Sequence, residues 1–266
     1  DVKLLYGSKG FNNSFTTSSV EIGLSDHKDS KEGRKKKMEV YSITDDIWKN
    51  YGPFLMQNNV LYDDVDLKTF SAKFSKMTDY INRSPGISYV YSEFIPSGAL
   101  IMALILESNG YVRYTPELER VIDKKTGLPQ QDLEKIVPTS KLLRYTTGQK
   151  EALTSAGIEL DTHYMCARCG QLYDNCITSS DGHKFTLATY IIVTGQHGGI
   201  DDLDYVTRRG NERGDRVKVV LGTQVTGQGV DLKWVRQVHI TDPWHNNTRI
   251  YQAIGRGIRH CSHADL

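Results

Sequence analysis

Cysteine, proline and tryptophan are scarce in this chain: 4, 7 and 3 of its 266 residues. Four cysteines cannot supply a disulfide framework, and reduced thiols in an intracellular setting fit such usage better. No apolar run reaches the roughly 18–20 residues that a membrane span needs; the longest, Ala99 to Leu106, is far shorter. The opening stretch, DVKLLYGSKG, has neither a signal-peptide pattern nor an initiator Met, as expected of a segment of a longer polypeptide. Charge of one sign is also lacking. The net charge is +1, with a pI near 7.8, so any nucleic-acid contact would have to come from local patches.

What is present is a somewhat polar globular composition, 38% hydrophobic and 24% charged, with 15 Tyr inflating the first figure. The length suits one large domain, or a domain of about 150–200 residues with appendages. Residues 1–65 read as an irregular arm or linker, rich in Ser, Asn, Asp and Lys. The run Arg34-Lys35-Lys36-Lys37 within it is either a solvated loop or a phosphate contact. Leu67, Phe70, Phe74, Met77 and Ile81 then form one helical stripe, closed by Ser84-Pro85-Gly86. Ile87 to Tyr91 reads as a buried strand. A buried helix follows over Ala99 to Leu106, capped by Ser97 or Gly98 and ended by Asn109-Gly110.

Helix, strand, helix is the rhythm of a parallel α/β sheet. It breaks over 113–183, a charged, turn-rich stretch that carries three of the four Cys and reads as an insertion. It resumes with strands over Phe185–Val193, Val217–Leu221 and Gln237–Ile240, a polar helical stretch over Gly199–Arg209, and a last helix over Thr248–Arg259. Asn246 or Asn247 would cap that helix. A sheet normally wants one more strand after it, so the C-terminus also reads as cut. The core would thus comprise residues 66–112 and 184–266.

The last fifty residues carry the chemistry. A strand ending at Leu221 runs into Gly222 and Thr223, then Gly227, Gly229 and Asp231. Glycines at the carboxyl end of a parallel strand let backbone N–H groups approach a phosphate. One helix then presents Gln252, Gly255, Arg256 and Arg259. The two arginines are three apart, on one face, and their forked guanidiniums match phosphate oxygens. Taken alone, such a pair would be read as two surface arginines.

Gln-x-x-Gly-Arg-x-x-Arg over 252–259 resembles motif VI of superfamily 2 helicases. Gly222 to Leu232 resembles their motif V, and Tyr89-Val90-Tyr91-Ser92 their motif IV. The preceding helix, with Ser71, Lys73 and Phe74, is similar to the Ser-x-Lys helix that opens the second RecA-like domain. Arg236-Gln237-Val238-His239, Pro243-Trp244 and Ser262-His263 narrow the resemblance to the C-terminal helicase domain of large DNA viruses. That group takes in early transcription factors and nucleoside triphosphate phosphohydrolases of poxviruses, asfarviruses and giant viruses. The resemblance covers about 66–112 and 184–266. It departs at Gln228-Gly229, where relatives usually have Glu-Gly or Arg-Gly, which puts in question how motif V couples to ATP.

The resemblance implies a RecA-like parallel sheet with helices on both faces, interrupted by an irregular insertion. It implies an ATP-dependent helicase or translocase of viral transcription or replication, at work in the virion or the viral factory of the host cytoplasm. Arg256 and Arg259 would act as arginine fingers, with Gln252 beside them, and Gly229, Asp231 and Gly255 would bind or couple ATP. Ser92, Thr223, Thr226 and Gly227 would meet a DNA or RNA backbone. The sequence contains no Gly-x-x-x-x-Gly-Lys-Ser/Thr and no apolar strand ending in Asp-Glu; Ile200-Asp201-Asp202 follows two glycines instead. ATP and Mg2+ would therefore be held mainly by a first RecA-like domain of the same polypeptide, and this segment alone would be inactive. Viral RNA polymerase or transcription factor subunits are further implied partners. The alternative is a non-catalytic RecA-like module that binds DNA or polymerase, with the insertion as a docking platform. Two retained arginines favour the enzyme.

The insertion holds a second constellation. Cys166 and Cys169 form a Cys-x-x-Cys knuckle ahead of Gly170, and Cys176 and His183 follow at seven-residue intervals. Four such ligands within eighteen residues suit a tetrahedral zinc site, with His163 as a competing fourth ligand. Plain reduced thiols are the alternative; a redox pair fits less well, because no thioredoxin-like strand-to-helix context surrounds it. Cys261 reads as a packed thiol, and His239, on an apolar strand, as a core histidine.

Overall fold

The computed structural model describes residues 67–68, 71–130, 163–178, 182–194, 203–223, 226, 232–242 and 247–257. The arm, residues 131–162, Gly227, Gly229, Asp231, Arg259 and Cys261 lie outside them.

Helix α1, Ala72–Arg83, starts where Ser71 turns to extended backbone and its hydroxyl accepts from Phe74 N–H. Its buried stripe is Phe74, Met77 and Ile81, with Ser75 and Thr78 between them, and Ser84 caps its end. Strand β1 is Ile87–Tyr91, buried throughout. The next helix does not start from Ser97 or Gly98. A π-helical turn over Ile95–Ala99 comes first, and α2, Leu100–Ser108, grows from it without a side-chain cap. Pro96 stands in the first turn, where its missing N–H costs no helical hydrogen bond. Helix α2 is buried on nearly all sides, and Gly110, at φ 88°, ends it.

A two-residue strand, β2 (Val112–Arg113), follows at the join with the insertion, and a short helix, α3 (Leu118–Val121), lies just beyond. Helix α4 is Tyr173–Thr178, β3 is Thr189–Val193, and α5 is Leu203–Thr207. Strands β4 (Val219–Gly222) and β5 (Val235–Ile240) precede α6 (Asn247–Gly257). All strand pairings are parallel, in the order β2-β3-β4-β1-β5.

The period-2 pleat sorts the strand residues onto two faces. Val90, Tyr190, Ile192, Val219 and Leu221 point to α1 and α2. Tyr89, Tyr91, Ile191, Val193 and Val220 point to Leu203 and Val206 of α5 and Ala253 of α6. Helices therefore cover both faces, as in a RecA-like α/β domain. The consequence for function is the strand order. With β1 between β4 and β5, the loops after these three strands open side by side at one edge, where ligands of open parallel sheets bind.

Candidate functional site

At that edge the main chain is stitched across strands. Ser92 N–H donates to the Gly222 carbonyl at 3.0 Å, and Thr241 N–H to the Tyr91 carbonyl at 2.9 Å. Asp242, nearly buried, gathers the rim. Its Oδ2 accepts from the Ser92 hydroxyl at 2.8 Å and from Glu93 N–H at 3.0 Å, and lies 2.7 Å from the Thr241 hydroxyl. Lys73 of the Ser-x-Lys helix donates its ammonium to the Thr241 carbonyl. Burial lowers the Lys73 pKa, and the Asp242 charge pulls partly the other way.

The motif V loop is latched from below. Thr226 donates to the Thr223 carbonyl at 2.6 Å, so its single proton is used, and Tyr89 must donate to Thr226 Oγ1 at 2.9 Å. Burial pushes the Tyr89 phenol up to about 12, so it stays a donor at working pH; the charge of Arg256 works against that rise. Gly222 sits where no side chain fits. A Cβ there would be 2.7 Å from Tyr89 Cε2 and closer still to Thr226 Oγ1.

Helix α6 rests on β5 through Gly257, whose Cβ position is 2.5 Å from Val238 Cγ2, while Ala253 is buried. Its outer face carries Gln252 and Gly255, both exposed, and the half-buried Arg256; nothing lies within 4 Å of a Cβ at Gly255. Ser92, Thr223 and Thr226 are buried, with exposures of 0%, 3% and 1%, and the hydroxyls of Ser92 and Thr226 are bonded within the protein. What these residues offer a ligand is therefore the shape and amides of their loops. Sequence reasoning missed Asp242 and the latch role of Tyr89. The only hint of Asp242 was its place before Pro243-Trp244.

The thiols converge as well. Cys166, Cys169, Cys176 and His183 bring four ligand atoms within 4.8 Å of one another, compatible with zinc, and His183 rather than His163 is the imidazole brought in. Nε2 of His183 is 3.4 Å from Sγ of both Cys166 and Cys176. Burial opposes ionisation of Cys166, but amides of Cys169, Thr186 and Arg168, with His183, bring it down to about 7; burial and Cys166 push Cys169 up, and burial with Cys166 and Cys169 pushes Cys176 up. Beneath the knuckle lies Lys218, also missed by the sequence reading. Burial lowers its ammonium to about 8 against the pull of Cys166, Asp215 and Cys169. His239 lies half-buried on β5, 3.0 Å from Gln237 Oε1, with its pKa lowered by burial.

Comparison with known proteins fits this geometry. Residues 187–261, the stretch that supplies β3, β4, β5 and α6, match the helicase conserved C-terminal domain. A mimivirus protein named as an ATP-dependent RNA helicase, L377, is 25% identical over 76% of this chain. A termination factor NPH-I homolog of African swine fever virus is 27% identical over 75% of it. The chain carries a superfamily 2 C-terminal helicase domain of the large-DNA-virus type. It spans only 16% and 24% of the length of those two relatives. No solved structure matches it. Among the described residues of this helicase domain, no helix is long and apolar enough to cross a membrane.

Proposed function

We propose that this helicase domain is the second motor domain of a viral nucleic-acid-dependent ATPase that acts in transcription or replication. One observation supports this above the rest. The motif IV and V loops share one rim of the sheet, joined where Ser92 N–H donates to the Gly222 carbonyl and Tyr89 latches Thr226.

In this reading ATP supplies the phosphoanhydride bond. Its phosphates and Mg2+ are held by a first RecA-like domain, since this sequence contains no Gly-x-x-x-x-Gly-Lys-Ser/Thr. Gln252, Gly255 and Arg256 lie on the open face of α6, a fit for a γ-phosphate brought by a facing domain. Arg256 and Arg259 neutralise charge in the phosphoryl-transfer transition state, where a finger is worth about 10³–10⁵ in rate. Gly229 and Asp231 couple the motif V loop to that event. Nucleic-acid phosphates are met by loop amides near Thr223, Thr226 and Gly227 and after Ser92; the hydroxyls hold the loops in shape. One relative is named as an RNA helicase and the other as a termination factor homolog. A viral RNA polymerase or transcription factor is the partner this reading implies.

The test on the chain itself is strand binding. With about three Lys or Arg side chains neutralising phosphates beside the loop amides, single-strand affinity should fall roughly 20-fold between 50 and 200 mM salt. Parallel DNA and RNA titrations identify the preferred strand. Binding that ignores salt would contradict phosphate tracking. A polypeptide containing both RecA-like domains that binds strands without turning over ATP would mark a scaffold instead.

A further inference from the structure

We infer that Cys166, Cys169, Cys176 and His183 hold one zinc ion in a closed, structural site that pins the Met165–Leu172 knuckle to the sheet.

The first support is distance. Zinc bonds of about 2.3 Å to sulfur and 2.0–2.1 Å to nitrogen, opened at the tetrahedral angle, place a sulfur and a nitrogen about 3.6 Å apart. Nε2 of His183 lies 3.4 Å from two of the three sulfurs, and all four ligand atoms fall within 4.8 Å of one another. All three cysteines are free thiols. With four protein ligands no coordination position is left open, which marks a structural rather than a catalytic metal.

The second support is the local backbone. The Met165–Leu172 and Cys166–Leu187 bridges form the base of a knuckle, and Gly170 N–H donates to the Cys166 carbonyl at 3.0 Å. Gly170 has φ 66°, and a Cβ there would run into the Asn82 carbonyl of α1. A left-handed glycine therefore lets the knuckle press onto the end of α1. Helix α4 then carries Cys176, and a second left-handed glycine, Gly182, precedes His183. A redox role would want the first Cys at a helix N-terminus; here Cys166 sits in a β-bridge, and the next helix begins only at Tyr173.

The third support is charge. A divalent ion with three thiolates and a neutral imidazole carries −1. Lys218, 1% exposed, lies under the knuckle with its ammonium donating to the carbonyls of Ala167, inside the Cys-x-x-Cys, at 2.6 Å and of Ser84 at 2.5 Å. A carbonyl pair satisfies donors but does not neutralise a cation; an anionic metal centre beside it does. Lys218 belongs to the segment leading into β4, so the metal centre, the end of α1 and the motif V strand meet at one ammonium. Arg168, within the knuckle, adds a two-armed ion pair to Asp215 at 2.9 Å on both arms.

The experiment is metal analysis of the 266-residue chain expressed with zinc. The expected result is about one zinc per chain, as for a single four-ligand site. Cys176→Ser and His183→Ala should lose it, while Cys261→Ser and His163→Ala keep it. Because ligand variants can misfold, chelated wild-type chain is also titrated with Co2+. One equivalent should give the visible bands of tetrahedral, thiolate-bound cobalt, and zinc should displace them. A folded chain that carries no zinc and gives no tetrahedral cobalt spectrum would overturn the site. Zinc retained by His183→Ala but lost by His163→Ala would overturn the ligand set.

Discussion

The Ser92 hydroxyl donates to the Asp242 carboxylate at 2.8 Å, across 150 positions of sequence. The bond ties the loop after β1 to the end of β5, the strand that leads into the arginine helix. Through it the loop after β1 and the end of β5 share a buried carboxylate, and the Lys73 helix is joined to the neighbouring Thr241 carbonyl.

Removing that carboxylate should therefore be felt twice. Asp242→Ala removes the carboxylate that accepts from Glu93 N–H and from the Ser92 hydroxyl, the latter keeping the Phe94 carbonyl within reach, and should cost about 1–3 kcal/mol of stability. Asp242→Asn keeps an oxygen at the position and should cost less than half as much. Urea unfolding of the chain measures both. Strand affinity of Asp242→Asn, measured where the variant is fully folded, should drop with it.

Two glycines four residues or fewer from the key arginine should respond in opposite ways. Gly257→Ala drives a methyl into Val238 and Val235, and should destabilise the chain by about 1–3 kcal/mol. Gly255→Ala meets nothing, on an exposed helical face, and should stabilise it by up to about 1 kcal/mol. If Gly255→Ala nevertheless abolishes ATP turnover in a two-domain polypeptide, the open face is the one that meets the other domain. Thermal unfolding paired with turnover separates the two effects.

The Tyr89 latch predicts a pH signature. Its phenol titrates near 10 when unfolded and is raised to about 12 by burial in the fold. A raised pKa favours the fold while the group is protonated, so this contribution is complete below pH 10 and is lost as pH rises through about 12. Tyr89→Phe should lose about 1 kcal/mol near neutrality through the unmade bond to Thr226. The gap to the wild-type chain should close above pH 10. Denaturant curves of the two proteins at pH 8 and at pH 11 provide the comparison.

Much of this was legible beforehand because it rests on local pattern. The stripe of Phe74, Met77 and Ile81, the apolar run Ile87–Tyr91 and the Gln252-to-Arg256 helix each declare themselves within a dozen residues. The thiol spacing did too, down to the choice between His163 and His183, which only folding decides. The π-helical start of α2 was hidden, since Ser97 and Gly98 mimic a cap. Strand β2 is two residues long, too short to show any period. Lys218 and Asp242 look like surface charges in sequence; their burial depends on partners 51 to 150 positions away.

The most direct test of the motor reading is ATP turnover by Arg256→Ala in a polypeptide that contains both RecA-like domains, with saturating nucleic acid. Substrate grip comes mainly from the other domain, so ATP affinity should change little while turnover falls roughly a hundredfold or more. Arg256→Lys should fail similarly, because a point-charge ammonium lacks the guanidinium fork. Turnover at the parent rate in both variants would contradict the account at its centre and leave Arg256 a surface residue of the last helix.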